Sequence, residues 1–253
     1  MSKRVALLLT VFAALVLVPL VASAQMAPEP PTYTYVSEWS MPRPQWKDWI
    51  DSNEKNNKPI YEKMMADGTI IGYGLYATAV HDESGITHGS WFETTSLAAV
   101  DKVMSEIAKL PPNPIANAAT KHRDYLIRSS LRRVKAASGK DGYLWVNSTQ
   151  LQPGKGAGWR ALFDKLVKPV FDEQLGNGTL LAYWVEGEQV HTDNPDGVFI
   201  VLLFPSADAM DKYFAALQKL IAQNPGVGDL LSGVTVGSAH RDYLARVLHY
   251  ANK

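Results

Sequence analysis

The five residues His122-Arg123-Asp124-Tyr125-Leu126 recur as His240-Arg241-Asp242-Tyr243-Leu244. An imidazole, a guanidinium, a carboxylate and a phenol at one strand entrance are groups that bind an acid or move a proton. Alternation along a strand limits them. Arg123 and Tyr125 share one face and Asp124 takes the other, so the four cannot all converge from one segment. Repetition favours a structural reading, in which arginine and aspartate form a matched pair that pins the last strand of each half. A catalytic site usually survives in one copy of a duplication and decays in the other, whereas contacts related by the repeat persist in both. His122, Arg123, Tyr125, His240, Arg241 and Tyr243 therefore stand as ligand-binding candidates behind that structural role.

The repeat extends well beyond the pentapeptide. A shift of 110 residues brings Tyr33 onto Tyr143, Trp49 onto Trp159, Lys58-Pro59 onto Lys168-Pro169, Gly68-Thr69 onto Gly178-Thr179, and Asp101-Lys102 onto Asp211-Lys212. The offset holds from Tyr33 to Leu110, and the pentapeptides lie 118 apart, so the second half carries eight extra residues just before its copy. Such periodicity indicates a chain built twice from one unit.

Each half reads as strand, helix, strand, strand, helix, strand. In the first, Tyr33 to Met41 is aromatic and β-branched. Pro44 to Ala66 is helix-like, with Pro59 expected to kink or break it. Gly68 is a helix stop. Thr69 to Val80 and Ile86 to Thr94 form a hairpin around the turn at His81. Ser96 caps a helix to about Leu110, and Tyr125 to Val134 is the last strand. The second half follows with strands at 143–151, 179–190, 198–204 and 243–250 and helices at 158–175 and 207–222. The expected boundaries are a first unit at 33–134, a linker at 135–142 and a second unit at 143–253.

That order matches the split βαβ, or ferredoxin-like, pattern. Helices cover one face of each antiparallel sheet, and the other face needs a cover, which the second sheet supplies. In element order and duplication the chain resembles the dimeric α+β barrel superfamily, in its single-chain form of two tandem ferredoxin-like units, over residues 33–250. The resemblance implies an α+β class, a pseudo-dimeric barrel, and activities that range from monooxygenases to haem proteins. Haem members of that superfamily carry an axial histidine on the helical side of the second unit. Here His191, His240 and His249 fall outside the expected helices, so no cofactor is expected and haem is kept as an alternative.

Where the halves differ, function is sought. His88 lies within a first-half strand opposite Val198, and Trp91 and Glu93 align with Val201 and Leu203. A strand with His88, Ser90, Phe92 and Thr94 on one face, set against the apolar Phe199 to Phe204, suggests a pocket in the first half; the plainer reading is a wetter edge strand. His88, Trp91 and Tyr73 join the ligand-binding candidates. The aromatic strand residues suit a flat apolar ligand and suit a core equally well. His81 and His191, at turns, read as solvated. No zinc-type spacing occurs, so no metal is expected, and the glycine-rich 154–158 stretch lacks phosphate-loop spacing.

The chain opens with Lys3 and Arg4, an apolar run to Leu20 and Ala22-Ser23-Ala24, the pattern of a secretory signal cleaved after Ala24. A periplasmic or secreted protein is expected, beginning with an extended leader at 25–32. Lys3 and Arg4 are the charges removed, so 25 basic against 25 acidic residues becomes 23 against 25. A balance near zero gives no case for nucleic acid or for an anionic membrane surface. With no cysteine, stability must come from the core alone. The expected partner is a small molecule, and the expected state is a monomer with an internal pseudo-twofold. The leading functional reading is an exported barrel that binds a small apolar or aromatic molecule. The alternatives are a monooxygenase-like or haem enzyme and a structural protein.

Overall fold

A computed structural model of the chain describes residues 30–81, 84–192 and 194–253. The proposed signal segment and residues 25–29 of the leader lie outside the described residues. The first half comprises β1 (Thr32–Ser40), α1 (Trp46–Ala66), β2 (Gly72–Thr78), β3 (His88–Thr94), α2 (Leu97–Ile107) and β4 (Lys121–Val134). A short β5 (Ala137–Gly139) follows. The second half comprises β6 (Gly142–Leu151), α3 (Gly156–Leu162), a π-helical turn (Phe163–Val167), α4 (Lys168–Gly176), β7 (Ala182–Glu188), β8 (Gly197–Phe204), α5 (Ala207–Gln223), α6 (Val227–Ser232) and β9 (Thr235–Asn252).

Eight strands close into a barrel. The ring runs β2-β3-β1-β4-β7-β8-β6-β9, and β9 pairs back onto β2. Each half keeps its four strands adjacent, and the halves join through two equivalent seams, β4 with β7 and β2 with β9. Every pairing is antiparallel. Directions therefore alternate round the ring, and β4 and β9 start at the same end. Closure leaves no free edge in the ring.

Local signals in the sequence place the elements. Ser96 and Ser206 each cap a helix, accepting from Ala99 N at 3.1 Å and from Ala209 N at 3.2 Å. Gly68 and Gly178 end the preceding helices at φ +81° and +84°, a conformation that a Cβ would strain. Alternation then sorts the side chains. Tyr33, Tyr35, Tyr73 and Phe92 face outward under α1 and α2, against Tyr61, Met64, Val100 and Val103. In the second half Trp159, Phe163, Phe171 and Tyr213 cover Tyr183, Leu202 and Phe204.

Several expectations are corrected. Pro59 does not break α1: the helix runs 21 residues with Pro59 inside it. Pro59 and Lys55 are exposed, so the carbonyl that the proline leaves unpaired is on the side of water. Its counterpart Pro169 sits in the first turn of α4, directly after the π-helical turn that divides the expected 158–175 helix. The 135–142 stretch is not all linker, because Ala137–Gly139 pairs with Tyr250–Asn252. The last strands begin at Lys121 and Thr235 rather than at the tyrosines, so both pentapeptides lie inside strands. Part of the second half's extra length forms α6. The strand at His88 is no wet edge: all seven residues of β3 are buried.

Candidate functional site

The inward side chains of the barrel do not fill it. They leave a cavity of about 700 Å³ that reaches residues of both halves. Its wall is largely apolar, with Val36, Trp91, Leu144, Val146, Trp184 and Val201 around its girth. Two small residues make room. A Cβ on Gly74 would lie 2.1 Å from the Trp91 ring, and one on Gly89 would lie 2.3 Å from Tyr76. Gly74 pairs with Trp91 across the hairpin, as Trp184 pairs with Val201 in the second half. Each half thus places one indole in the lumen, from opposite strands of the same hairpin.

The mouth lies where β4 and β9 start. Arg123, Tyr125, Arg241 and Tyr243 all line the cavity here. Among the described residues the salt bridges do not include the proposed arginine–aspartate pairs. Arg123 Nε instead meets the Glu38 carboxylate at 2.7 Å, and Tyr76 donates to the same carboxylate at 2.8 Å. Strand alternation turns Asp124 outward, where its carboxylate meets His122 at 3.1 Å. Asp242 accepts from Trp145 Nε1 and Asn147 Nδ2, each at 3.1 Å. Arg241 has no carboxylate partner among the described residues, because Ser148 occupies the position that Glu38 holds in the first half. Its Nη1 donates to the backbone carbonyls of Ser238 (2.9 Å) and His240 (2.7 Å), which orient the guanidinium.

The far end is acidic. Thr34 is the register partner of Glu93, and its hydroxyl donates to Glu186 at 3.1 Å. Ser129 donates to Glu186 at 2.7 Å. Glu93 is 1 % exposed and is held by Arg132 Nε at 3.0 Å. Burial raises the pKa of Glu93 in spite of that arginine. Glu186 has two hydroxyl donors and no cation. Burial, with the nearby Glu93 charge adding to it, pushes its pKa up to about 7. Trp184 Nε1 leans on Glu93, yet it is buried without a partner in hydrogen-bond geometry.

Of the candidates named from sequence, Trp91, Arg123, Tyr125, Arg241 and Tyr243 line this cavity. His88 and Tyr73 do not. His88 faces the helices, with its ring 4.9 Å from that of Trp49, and burial drives its pKa down to about 4. Tyr73 is core, against Tyr61 and His249. His122 stacks on Trp39 outside the barrel at 3.7 Å, and His240 contacts Asn147, also outside. A second cavity, of about 210 Å³, lies under the first-half helices and includes Ser90, Phe92, Asn53 and His122 in its lining. The polar face of β3 therefore does meet a hollow, but its opposite face, with Trp91 and Glu93, meets the large one. Sequence reasoning missed Glu38, Trp184 and Glu186. For Glu186 a signal existed, a carboxylate within an apolar strand aligned with Tyr76.

No known sequence family matches the chain, and no curated protein sequence matches it. Solved structures do match its fold. A putative monooxygenase from Fusobacterium nucleatum aligns with TM-score 0.64 at 11 % identity, covering 88 % of this chain and 94 % of that one. One from Lactobacillus acidophilus aligns at 0.62 and 11 %, covering 88 % and 97 %. A haem-binding protein from Thermus thermophilus aligns at 0.51 and 12 %, covering 87 % and 94 %. The chain is an eight-stranded α+β barrel with helices, similar in fold to dimeric α+β barrel proteins.

Neither the lumen nor the helix–sheet space of the second half offers a histidine to hold a haem. None of the six histidines lines the lumen. The helix–sheet space of the second half is filled by Trp159, Phe163, Phe171, Tyr183 and Tyr213, with no histidine among them. Among the described residues no group of acidic and histidine side chains gathers for a metal ion, and no helix is long and apolar enough to cross a membrane.

Proposed function

We propose that the protein binds a small, flat, largely apolar molecule inside the barrel. The observation that carries this is the 700 Å³ cavity, whose size and apolar wall with a few polar groups at its ends are those of small-molecule sites. Trp91 and Trp184 offer ring faces to such a ligand from both halves. The duplicated element order and the two equivalent seams support tandem ferredoxin-like units at 33–134 and 143–253, acting as one pseudo-dimer without a second chain. The amino-terminal segment supports export. The test uses the uncharged fluorophore N-phenyl-1-naphthylamine, with energy transfer from the two lumenal tryptophans as the signal. Saturable one-to-one binding is expected, and Val146→Trp with Val201→Phe should abolish it while the melting temperature holds. Equal binding by this filled barrel would overturn the reading.

A second reading, an enzyme of the monooxygenase-like kind, is supported by Glu186. A carboxyl in an apolar lumen that changes charge near neutral pH is placed to accept a proton from a bound molecule. Under this reading Glu186→Gln keeps probe binding and loses turnover. Oxygen uptake with a bound hydroxy-aromatic compound measures it.

A further inference from the structure

The two ends of the cavity differ in charge, and the difference selects the ligand. This inference rests on the binding reading above and deepens it. The halves would give a mouth with two equivalent arginines, each neutralised by its own glutamate. The second half has no such glutamate: Ser148 stands at the position of Glu38, and both pair with their arginine across adjacent strands. Arg123 spends its charge on Glu38. Arg241 keeps its charge, held in place by two backbone carbonyls and directed at the cavity mouth. A guanidinium oriented in this way is suited to a planar anion.

The opposite end asks for a donor. Glu186 is 6 % exposed and has only the hydroxyls of Thr34 and Ser129 as donors, with no cation beside it. An O–H from a ligand would supply the missing partner for a buried carboxyl, whose desolvation is costly when it is charged. The unpartnered Trp184 N–H at the same end offers a donor to the oxygen of that hydroxyl. The pairing register sets the separation. Arg241 pairs with Ser148, Ser148 with Phe199, and Phe199 with Glu186. Three strand spacings amount to roughly 14 Å of wall between the two backbones, which their inward side chains shorten. The gap suits about two fused rings with a substituent at each end.

We infer that the cavity takes a hydroxy-aromatic carboxylate, or an anion of the same shape, with its anionic group on Arg241 at the mouth and its hydroxyl on Glu186 at the floor. The ligand lies along the barrel in one orientation only, because reversal would set a carboxylate against Glu93 and Glu186.

The test compares 2-naphthol, 2-naphthoate and 6-hydroxy-2-naphthoate on the full protein by tryptophan quenching, checked by calorimetry. The doubly substituted compound is expected to bind most tightly. Arg241→Gln should weaken both carboxylates by about tenfold or more, as for loss of a charged hydrogen bond, and leave 2-naphthol within about twofold. Arg123→Gln should weaken them much less, because its charge is already matched. Glu186→Leu, which copies the apolar lining of the neighbouring strand, should erase the preference for 6-hydroxy-2-naphthoate over 2-naphthoate. Binding of 2-naphthol with no gain from the carboxylate, or an equal loss in Arg241→Gln and Arg123→Gln, sinks the inference while leaving a ligand-binding barrel. Failure of all three compounds, with N-phenyl-1-naphthylamine also excluded, sinks both.

Discussion

The inner faces of the two halves share a frame and differ in chemistry. In the first half Glu38, Tyr76, Trp91 and Glu93 project into the lumen. At the aligned positions the second half has Ser148, Glu186, Val201 and Leu203. The outer faces differ in the opposite sense. The second half packs aromatic rings under its helices, while the first leaves a small cavity near His122 and buries His88 with its Nε2 unpartnered. A duplicated scaffold conserves what closes the ring, namely the seams, caps and helix stops. The lumen is freer to diverge, because its residues border a cavity that accommodates changes of volume and charge.

The largest expected effect concerns the floor. Holding the Glu186 carboxyl at about 7 instead of 4.5 means that the folded state binds the proton more tightly than the unfolded state does. Stability is full at acid pH and falls as pH rises from 4.5 through 7, by roughly 3 kcal/mol. Glu186→Gln should remove that slope and exceed the parent in stability above pH 8, as read by urea unfolding at pH 5 and pH 8. His88 works in the other direction, because burial lowers its pKa from 6.5 to about 4 and stability is lost as pH falls across that window. It is present in both proteins, so their difference isolates Glu186. An unchanged slope in the variant would show that the floor carboxyl is solvated.

The next effect tests the exchanged indoles. Gly74→Ala drives a methyl into the Trp91 ring and should cost roughly 1–3 kcal/mol by overpacking. In a Trp91→Val background, which imitates Val201, the same substitution should cost almost nothing. A double-mutant cycle without that coupling would mean that the two positions are independent.

The smallest effect tests what the halves keep in common. Ser96→Ala and Ser206→Ala each remove one cap and should each cost about 1 kcal/mol. Thermal melts that separate the two by much more than this would reveal halves of unequal cooperativity.

Much of the frame was legible in the sequence, because its signals are local. The serine caps, the glycine stops at 68 and 178, and the constant offset between the halves all act over a few residues. The starts of the last strand of each half were misplaced, by four and eight residues; in the first, Lys121-His122-Arg123-Asp124 is polar on both faces and only pairing with β1 makes it a strand. A sequence shows the missing N–H of Pro59, which predicts a kink or a break, but not that the freed carbonyl lies on an exposed face.

The site was legible only in part, for a related reason. The sequence alone determined that the chain is doubled, that each half is α+β, that Arg123 and Tyr125 share a face, and that the halves diverge around residues 88–93. Which face of each strand looks into the barrel was decided by ring closure, and it put Trp91 and Glu93 inside and His88 outside. The partner of each arginine was likewise decided by tertiary pairing. Arg123 meets Glu38, 85 residues away, and Arg241 meets no carboxylate among the described residues because β6 presents Ser148. Side-chain alternation is a two-residue rule written in the sequence, whereas the choice between its two faces depends on strands far apart in the chain.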